Sequence, residues 1–193
     1  KANASGVNST ALGRNANAFG SASTAIGSAA NASGNSSQAF GFRANAFGDF
    51  STAIGRGAHA SGSCSQAYGF EANASGENST ALGYQANASG RQSLASGYQA
   101  TASGNNSWAS GYQANASANG SQAVGRSATA SGKQSLASGY EAQAIGNQSL
   151  ASGYKATAGV QGTAINRGAG ISNQKDSTGP LSNGATYVYG EKS

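Results

Sequence analysis

The sequence predicts an all-β protein, a solenoid of 14-residue coils whose strands stack into two parallel sheets, and three regularities carry that reading. Alanine fills all 23 positions taken in steps of seven from Ala4 to Ala158. Glycine stands two residues after that alanine at 21 of 22 positions from Gly6 to Gly153, with Ala118 as the exception. Two residues before it the chain alternates without fault between Ala (2, 16, 30 and on to 156) and Ser (9, 23, 37 and on to 149). The repeat is therefore made of two unlike halves, Ser-x-Ala-x-Gly and Ala-x-Ala-x-Gly.

A spacing of two is the side-chain period of a strand, so the fixed residues of each half share one face and the two variable ones the other. A sevenfold period also invites a coiled coil, but that needs large apolar residues at spacings of three and four. Here one fixed residue is Gly, which costs a helix interior about 1 kcal/mol at every occurrence. Collagen fails because it requires Gly at every third position. Two residues remain between the halves for a turn, as in Tyr98-Gln99 and Asn105-Asn106. The face limited to Ser, Ala and Gly is expected to be the interior, with the sheets closer than the usual ~10 Å. Eleven serine-type strands at ~4.8 Å make a rod roughly 50 Å long.

Composition agrees. The chain has 30 Gly, 1 Pro, 0 Met, 1 Trp and 9% charged residues, too few large side chains for a conventional core. Such a composition also suits a disordered linker, but strict periodicity argues for a repeat architecture instead. The net charge is +5, with the basic residues scattered from Lys1 to Lys192, so a clustered nucleic-acid groove is not expected. Cys64 stands alone, leaving no intrachain disulfide. No stretch approaches the ~20 apolar residues that span a bilayer, and the start at Lys1 is no signal peptide. Any anchoring is expected from parts absent from this chain.

The variable positions distinguish the two sheets. On the alanine-type strands they are mostly Asn, Thr and Ser, such as Asn73 and Ser75 or Thr101 and Ser103, which suits a face in water. Each serine-type strand instead offers one large residue: Leu12, Ile26, Phe40, Ile54, Tyr68, Leu82, Leu94, Trp108, Val124, Leu136 and Leu150. Fully burying such a side chain is worth about 1.5–3 kcal/mol, and an uncovered stripe of this length exceeds what soluble monomers tolerate. The expectation is an obligate oligomer packed around the stripe. The large residue precedes Gly through Leu82 but sits two positions earlier at Leu94, Trp108, Leu136 and Leu150. A second column after the serine-type Gly holds Phe42, Phe70, Tyr84, Tyr98, Tyr112, Tyr140 and Tyr154, interrupted by Arg56 and Arg126. It reads as a structural ladder at the turn, with a ligand-contacting strip as the rival.

No catalytic or metal constellation is evident, and no cofactor is expected. His59 is the one histidine and stands in a slot otherwise Asn, Thr or Gln, which predicts an exposed substitution. The six carboxylates, Asp49, Glu71, Glu77, Glu141, Asp176 and Glu191, have no spacing that suggests acid/base work or hard-cation binding. Serines without a base and an orienting acid make no nucleophile.

Ser23-Thr24-Ala25-Ile26-Gly27, followed by Ser28-Ala29-Ala30-Asn31-Ala32, and Ser79-Thr80-Ala81-Leu82-Gly83 resemble the head repeats of YadA-like trimeric autotransporter adhesins, the haemagglutinin-type heptad repeats. The resemblance covers residues 1–158. It implies a left-handed parallel β-roll, a homotrimer and a head exposed on the outer membrane of a Gram-negative bacterium. It also implies attachment to host extracellular matrix proteins or cell-surface receptors, and bacterial autoaggregation. Trimer number and handedness rest on the resemblance alone, since parallel crossovers are normally right-handed. No short receptor motif carries over. Candidate ligand contacts are instead the apolar breaks in the polar sheet, Phe19, Phe47 and Ile145, with Arg43 and Phe50 nearby. Rival functions are a passive spacer in a larger adhesin, and an ice-binding solenoid presenting the column Asn73, Asn87, Thr101, Asn115, Thr129. Residues 159–193 depart from the repeat, lack the family's Asp-Ala-Val-Asn-like neck, and are expected to form a cap or a transition segment, with a short strand at Thr186-Tyr187-Val188-Tyr189.

Overall fold

The computed structural model describes residues 1–165, 170–171 and 186–188. Every described strand is parallel to its neighbours, and strands alternate between two sheets along the chain. The alanine-type sheet runs from Asn3–Ala4 through two-residue strands such as Asn73–Ala74 and Asn87–Ala88. The serine-type sheet runs from Thr10–Leu12 through three-residue strands such as Thr80–Leu82 and Leu94–Ser96. Strand pairs are offset by one 14-residue coil, as in Asn73↔Asn87 and Ala67↔Ala81. The fold is thus the predicted all-β parallel solenoid.

The interior is as small as the sequence requires. From Ala16 to Ala164 the inward alanines have no accessible surface, and the largest fully buried side chains are serines such as Ser23, Ser65 and Ser121. Cα atoms of facing strands come within 8 Å of each other, so methyl and hydroxymethyl groups suffice to fill the gap. Glycine is required for a sharper reason than conformational freedom. A β-carbon on Gly76 would overlap the carbonyl of Gly90 in the next coil, and one on Gly97 would overlap that of Gly111.

Ala118 shows what happens when the rule is broken. Gly104 and Gly132 donate their N–H to Ala116 and Ala144 in the following coil at 3.4 and 3.3 Å. Ala118 donates instead to Ser121 Oγ at 3.2 Å, and that hydroxyl donates to the Ala118 carbonyl at 2.7 Å. Its methyl group is half-buried where the glycines of this column, such as Gly104 and Gly132, are buried. The local serine has taken over a bond between coils.

Apart from the one that starts at Ala118, the half-coils end in a four-residue turn that starts at Gly, as in Ser9 N–H to Gly6 C=O at 3.1 Å and Ala16 N–H to Gly13 C=O at 3.3 Å. The third residue of the turn has φ between 50 and 58° wherever it is not Gly, which is the type II requirement for a left-handed residue. These sites are mostly Asn, Gln and other polar residues, with Gly only at Gly57 and Gly120. Glycine and non-glycine residues alike make a main-chain bond along the rod there, as in Gly57 N–H to the Phe42 carbonyl at 2.9 Å and Gln99 N–H to the Tyr84 carbonyl at 2.8 Å. Glutamine adds a second one, the side-chain amide of Gln99 donating to Gln85 Oε1 at 2.9 Å. Gln113 to Gln99 and Gln85 to Glu71 extend that ladder.

Stacking continues past residue 158. Thr163–Ile165 pairs with Leu150–Ser152 at an offset of 13 instead of 14, because Ala158 is followed directly by Gly159 with one outward residue missing. Gly162 then stands in the serine slot and donates to Gly159 at 3.0 Å. Gly170–Ile171 and Thr186–Val188 add one more strand to each sheet. The remainder of the segment 159–193 expected to cap the rod, including Pro180 and Tyr189, lies outside the described residues.

Gly76→Ala is expected to lower the stability of the folded chain by about 1–3 kcal/mol in urea unfolding, because the overlap is with backbone that cannot rotate away. Ala118→Gly, which restores the standard bond but adds chain entropy, should change it by less than about 1 kcal/mol.

Candidate functional site

The outer face of the serine-type sheet carries the large residues with nothing over them. Leu12, Ile26, Ile54, Leu82 and Trp108 are exposed, while Phe40, Tyr68, Leu94, Val124, Leu136 and Leu150 are half-buried. Leu12, Ile26, Phe40, Ile54, Tyr68 and Leu82 are successive Cα partners in one column. The next coil pairs Leu82 with Ser96 and Thr80 with Leu94, so the bulk moves to the adjacent column. It returns at Val124, opposite Ser110, and moves again at Leu136. The stripe is therefore continuous but two columns wide. Ile165 extends it, paired with Ser152 and exposed. Sequence reasoning missed this residue because the deletion after Ala158 puts it off the sevenfold count.

Beside the stripe, the turn column forms a ladder of stacked rings. Phe70, Tyr84, Tyr98 and Tyr112 follow one another at 4.9–5.0 Å between centroids with planes within 6° of parallel. Tyr140 and Tyr154 stack in the same way at 5.1 Å. The arginines expected to interrupt the column continue it. Arg56 lies 5.7 Å from the Phe42 ring centroid and 5.5 Å from that of Phe70, and Arg126 lies 5.4 and 5.5 Å from Tyr112 and Tyr140. A planar cation replaces a ring at the coil repeat and is held by the quadrupoles on either side. At the far end the Glu141 carboxylate accepts a hydrogen bond from the Tyr140 phenol, which raises that phenol's pKa above its ordinary value. The same carboxylate sits 3.5 Å from Lys155 and, by its charge, raises the ammonium's pKa.

The candidate ligand contacts do not form one site. Phe19 and Phe47 share a column of the alanine-type sheet two coils apart, about 10 Å, whereas Ile145 stands seven coils beyond Phe47, about 34 Å. Arg43 and Phe50 are both left-handed turn residues, but of opposite turns of the coil. Arg43 lies over the Phe42 ring at 5.1 Å, on the ladder side. Phe50 is 65% exposed at the other turn. His59 differs from expectation: it is half-buried, as are Asn45 and Asn73 on either side of it in the same column, and it meets the Phe47 ring edge-on at 5.2 Å. Cys64 is free and exposed in a third left-handed turn position. Among the described residues no group of His, Cys, Asp or Glu is arranged to hold a metal ion, and no helix is long and apolar enough to cross a membrane.

These features define a class: a parallel β-solenoid of two-strand coils with a methyl-lined interior, whose chemistry is carried by its outer surfaces. The family model for the YadA head domain repeat matches residues 4–30, 20–44, 32–58, 67–86, 74–100, 88–109, 102–128, 121–142 and 137–159, so the chain belongs to the YadA head family. No curated protein matches the chain as a relative. The family comprises heads of adhesins of the trimeric autotransporter type, which are in general non-enzymatic and are displayed on Gram-negative cell surfaces.

Tyr98→Ala removes two ring contacts, each worth about 0.5–1.5 kcal/mol, and should lower stability by about 1–3 kcal/mol in denaturant unfolding. Tyr98→Phe keeps both rings and should stay within about 0.5 kcal/mol of the parent, because a half-exposed phenol hydroxyl contributes little.

Proposed function

We propose that this chain is the surface-exposed head of a homotrimeric adhesin, attaching the bacterium to host cells or extracellular matrix and promoting contact between sister cells. The observation that supports it best is the apolar stripe running the length of the rod on a subunit whose own interior has no room for it. In the proposed assembly, Leu12, Ile26, Phe40, Ile54, Tyr68, Leu82, Leu94, Trp108, Val124, Leu136 and Leu150 meet their counterparts in the two partner subunits around a threefold axis, and Ile165 continues the layer. A closed ring of heterologous contacts covers every copy of the stripe equally, as point symmetry requires. The polar alanine-type sheets then face outward, and adhesion is a property of that broad face. Phe19, Phe47 and Ile145 are its apolar contact points, with Phe50 and Arg43 at the adjoining turns.

Sedimentation equilibrium of the full chain should give three times the subunit mass, and Leu94→Asp/Leu136→Asp/Leu150→Asp should abolish the trimer, since a desolvated unpaired carboxylate in each layer is strongly unfavourable. Immobilised collagen, fibronectin, laminin and cultured epithelial cells are the probes for attachment. Phe19→Ser/Phe47→Ser/Ile145→Ser should keep the trimer and weaken attachment by about tenfold, the effect of losing roughly 1.4 kcal/mol. Equal attachment by parent and variant would remove these three residues as contacts, and a stable folded monomer would overturn the assembly.

A further inference from the structure

The turn edge that follows the serine-type strands carries an uncompensated run of guanidinium groups over its first four coils. Arg14 and Arg56 stand in the ladder column and Arg43 in the left-handed position beside it, and all three are exposed. No carboxylate lies on this edge before Glu71, whose Oε2 accepts the amide of Gln85 at 2.8 Å. Asp49, the one acidic residue in positions 1–70, sits on the opposite turn and accepts the backbone N–H of Asn35 at 2.8 Å. Further along the rod the pattern changes, and Arg91 and Lys155 each meet a carboxylate, Glu77 at 3.3 Å and Glu141 at 3.5 Å. The positive charge of the first coils is therefore clustered and, among the described residues, Arg14, Arg43 and Arg56 make no ion pair with a carboxylate.

Two of the three groups are also held in place. Arg56 is sandwiched between Phe42 and Phe70, and Arg43 lies over Phe42 at 5.1 Å, so little side-chain entropy is left to lose when they bind. Ser28, the small residue of the column, leaves an open step between Arg14 and Phe42. From Arg14 to Arg56 the edge spans three coils, about 14 Å along the rod.

We propose that Arg14, Arg43 and Arg56 form a docking edge for a sulfated polysaccharide lying along the rod. Guanidinium forks match tetrahedral oxyanions through paired N–H donors, and a row of them suits a linear polyanion with repeating sulfates. Single-stranded nucleic acid suits the edge less well. It binds by stacking bases on free ring faces, and here the faces of Phe42 and Phe70 are taken by guanidinium groups. The three arginines come from one subunit, on the turn edge that adjoins the stripe.

The test is retention of the full chain on immobilised heparin under a salt gradient. Parent protein should be retained, and Arg14→Gln/Arg43→Gln/Arg56→Gln should bind about tenfold more weakly and elute at lower salt. Arg126→Gln/Lys133→Gln/Lys155→Gln, with the same loss of charge, should elute close to the parent. Arg14→Gln alone removes no ladder stacking and should give a partial shift of about twofold, which keeps the test decisive if the triple variant is destabilised. Absence of retention, equal shifts for the two triple variants, undiminished binding to desulfated heparin, or competition by single-stranded DNA as effective as by heparin would each overturn the assignment. Retention that depends on Arg14, Arg43 and Arg56 in a protein that does not attach to cells would uphold this site while overturning the adhesin-head reading.

Discussion

The next coil's carbonyl occupies the place where a β-carbon would stand at the repeat glycines, and the inward alanines between them have no accessible surface at all. This close approach of backbone to backbone governs the molecule. It holds the two sheets near enough for methyl groups to fill the gap, and it excludes every larger side chain from the interior. Main-chain bonds between coils, repeated at nearly constant length along the rod, then carry much of the cohesion that a conventional domain draws from its core. The strand pairing is correspondingly regular, with coil after coil in the same register from Asn3 to Thr157.

Bulk that cannot go in must go out, and the outer surfaces divide it. The serine-type sheet takes the aliphatic and aromatic side chains, the adjoining turn edge takes the stacked rings with their interleaved guanidinium groups, and the alanine-type sheet is left with small polar groups. Recognition by such a molecule works through long faces and repeated contacts, which favours multivalent attachment over a single tight pocket. The basic edge at the first coils and the scattered phenylalanines of the polar sheet are departures from an otherwise uniform surface. They are the places where this chain differs from a generic rod.

Much of this was legible in the sequence because the interior tolerates so little variation. A period of seven, broken between Ala4 and Gly153 only at Ala118, defines the coils, the inward face and the outward stripe. What the periodicity could not convey was how the exceptions are accommodated. The rescue of Ala118 by Ser121 depends on a hydroxyl rotating three residues away, and the stacking of Arg56 and Arg126 depends on a cation having the shape of a ring. Ile165 was hidden by a one-residue deletion that the fold absorbs without losing register. The candidate contacts Phe19, Phe47 and Ile145 looked like one group in the sequence, yet a rise of one strand spacing per coil separates the third from the others by most of the rod.

The lone tryptophan offers the most direct test of the central claim, that large side chains excluded from the subunit interior are covered by other subunits. Trp108 lies within the stripe and is 43% exposed on the single chain. In the native assembly its fluorescence should be blue-shifted and shielded from iodide, and both properties should be lost when the assembly is dissociated. A red-shifted emission, freely quenched by iodide in the native folded protein, would contradict the account.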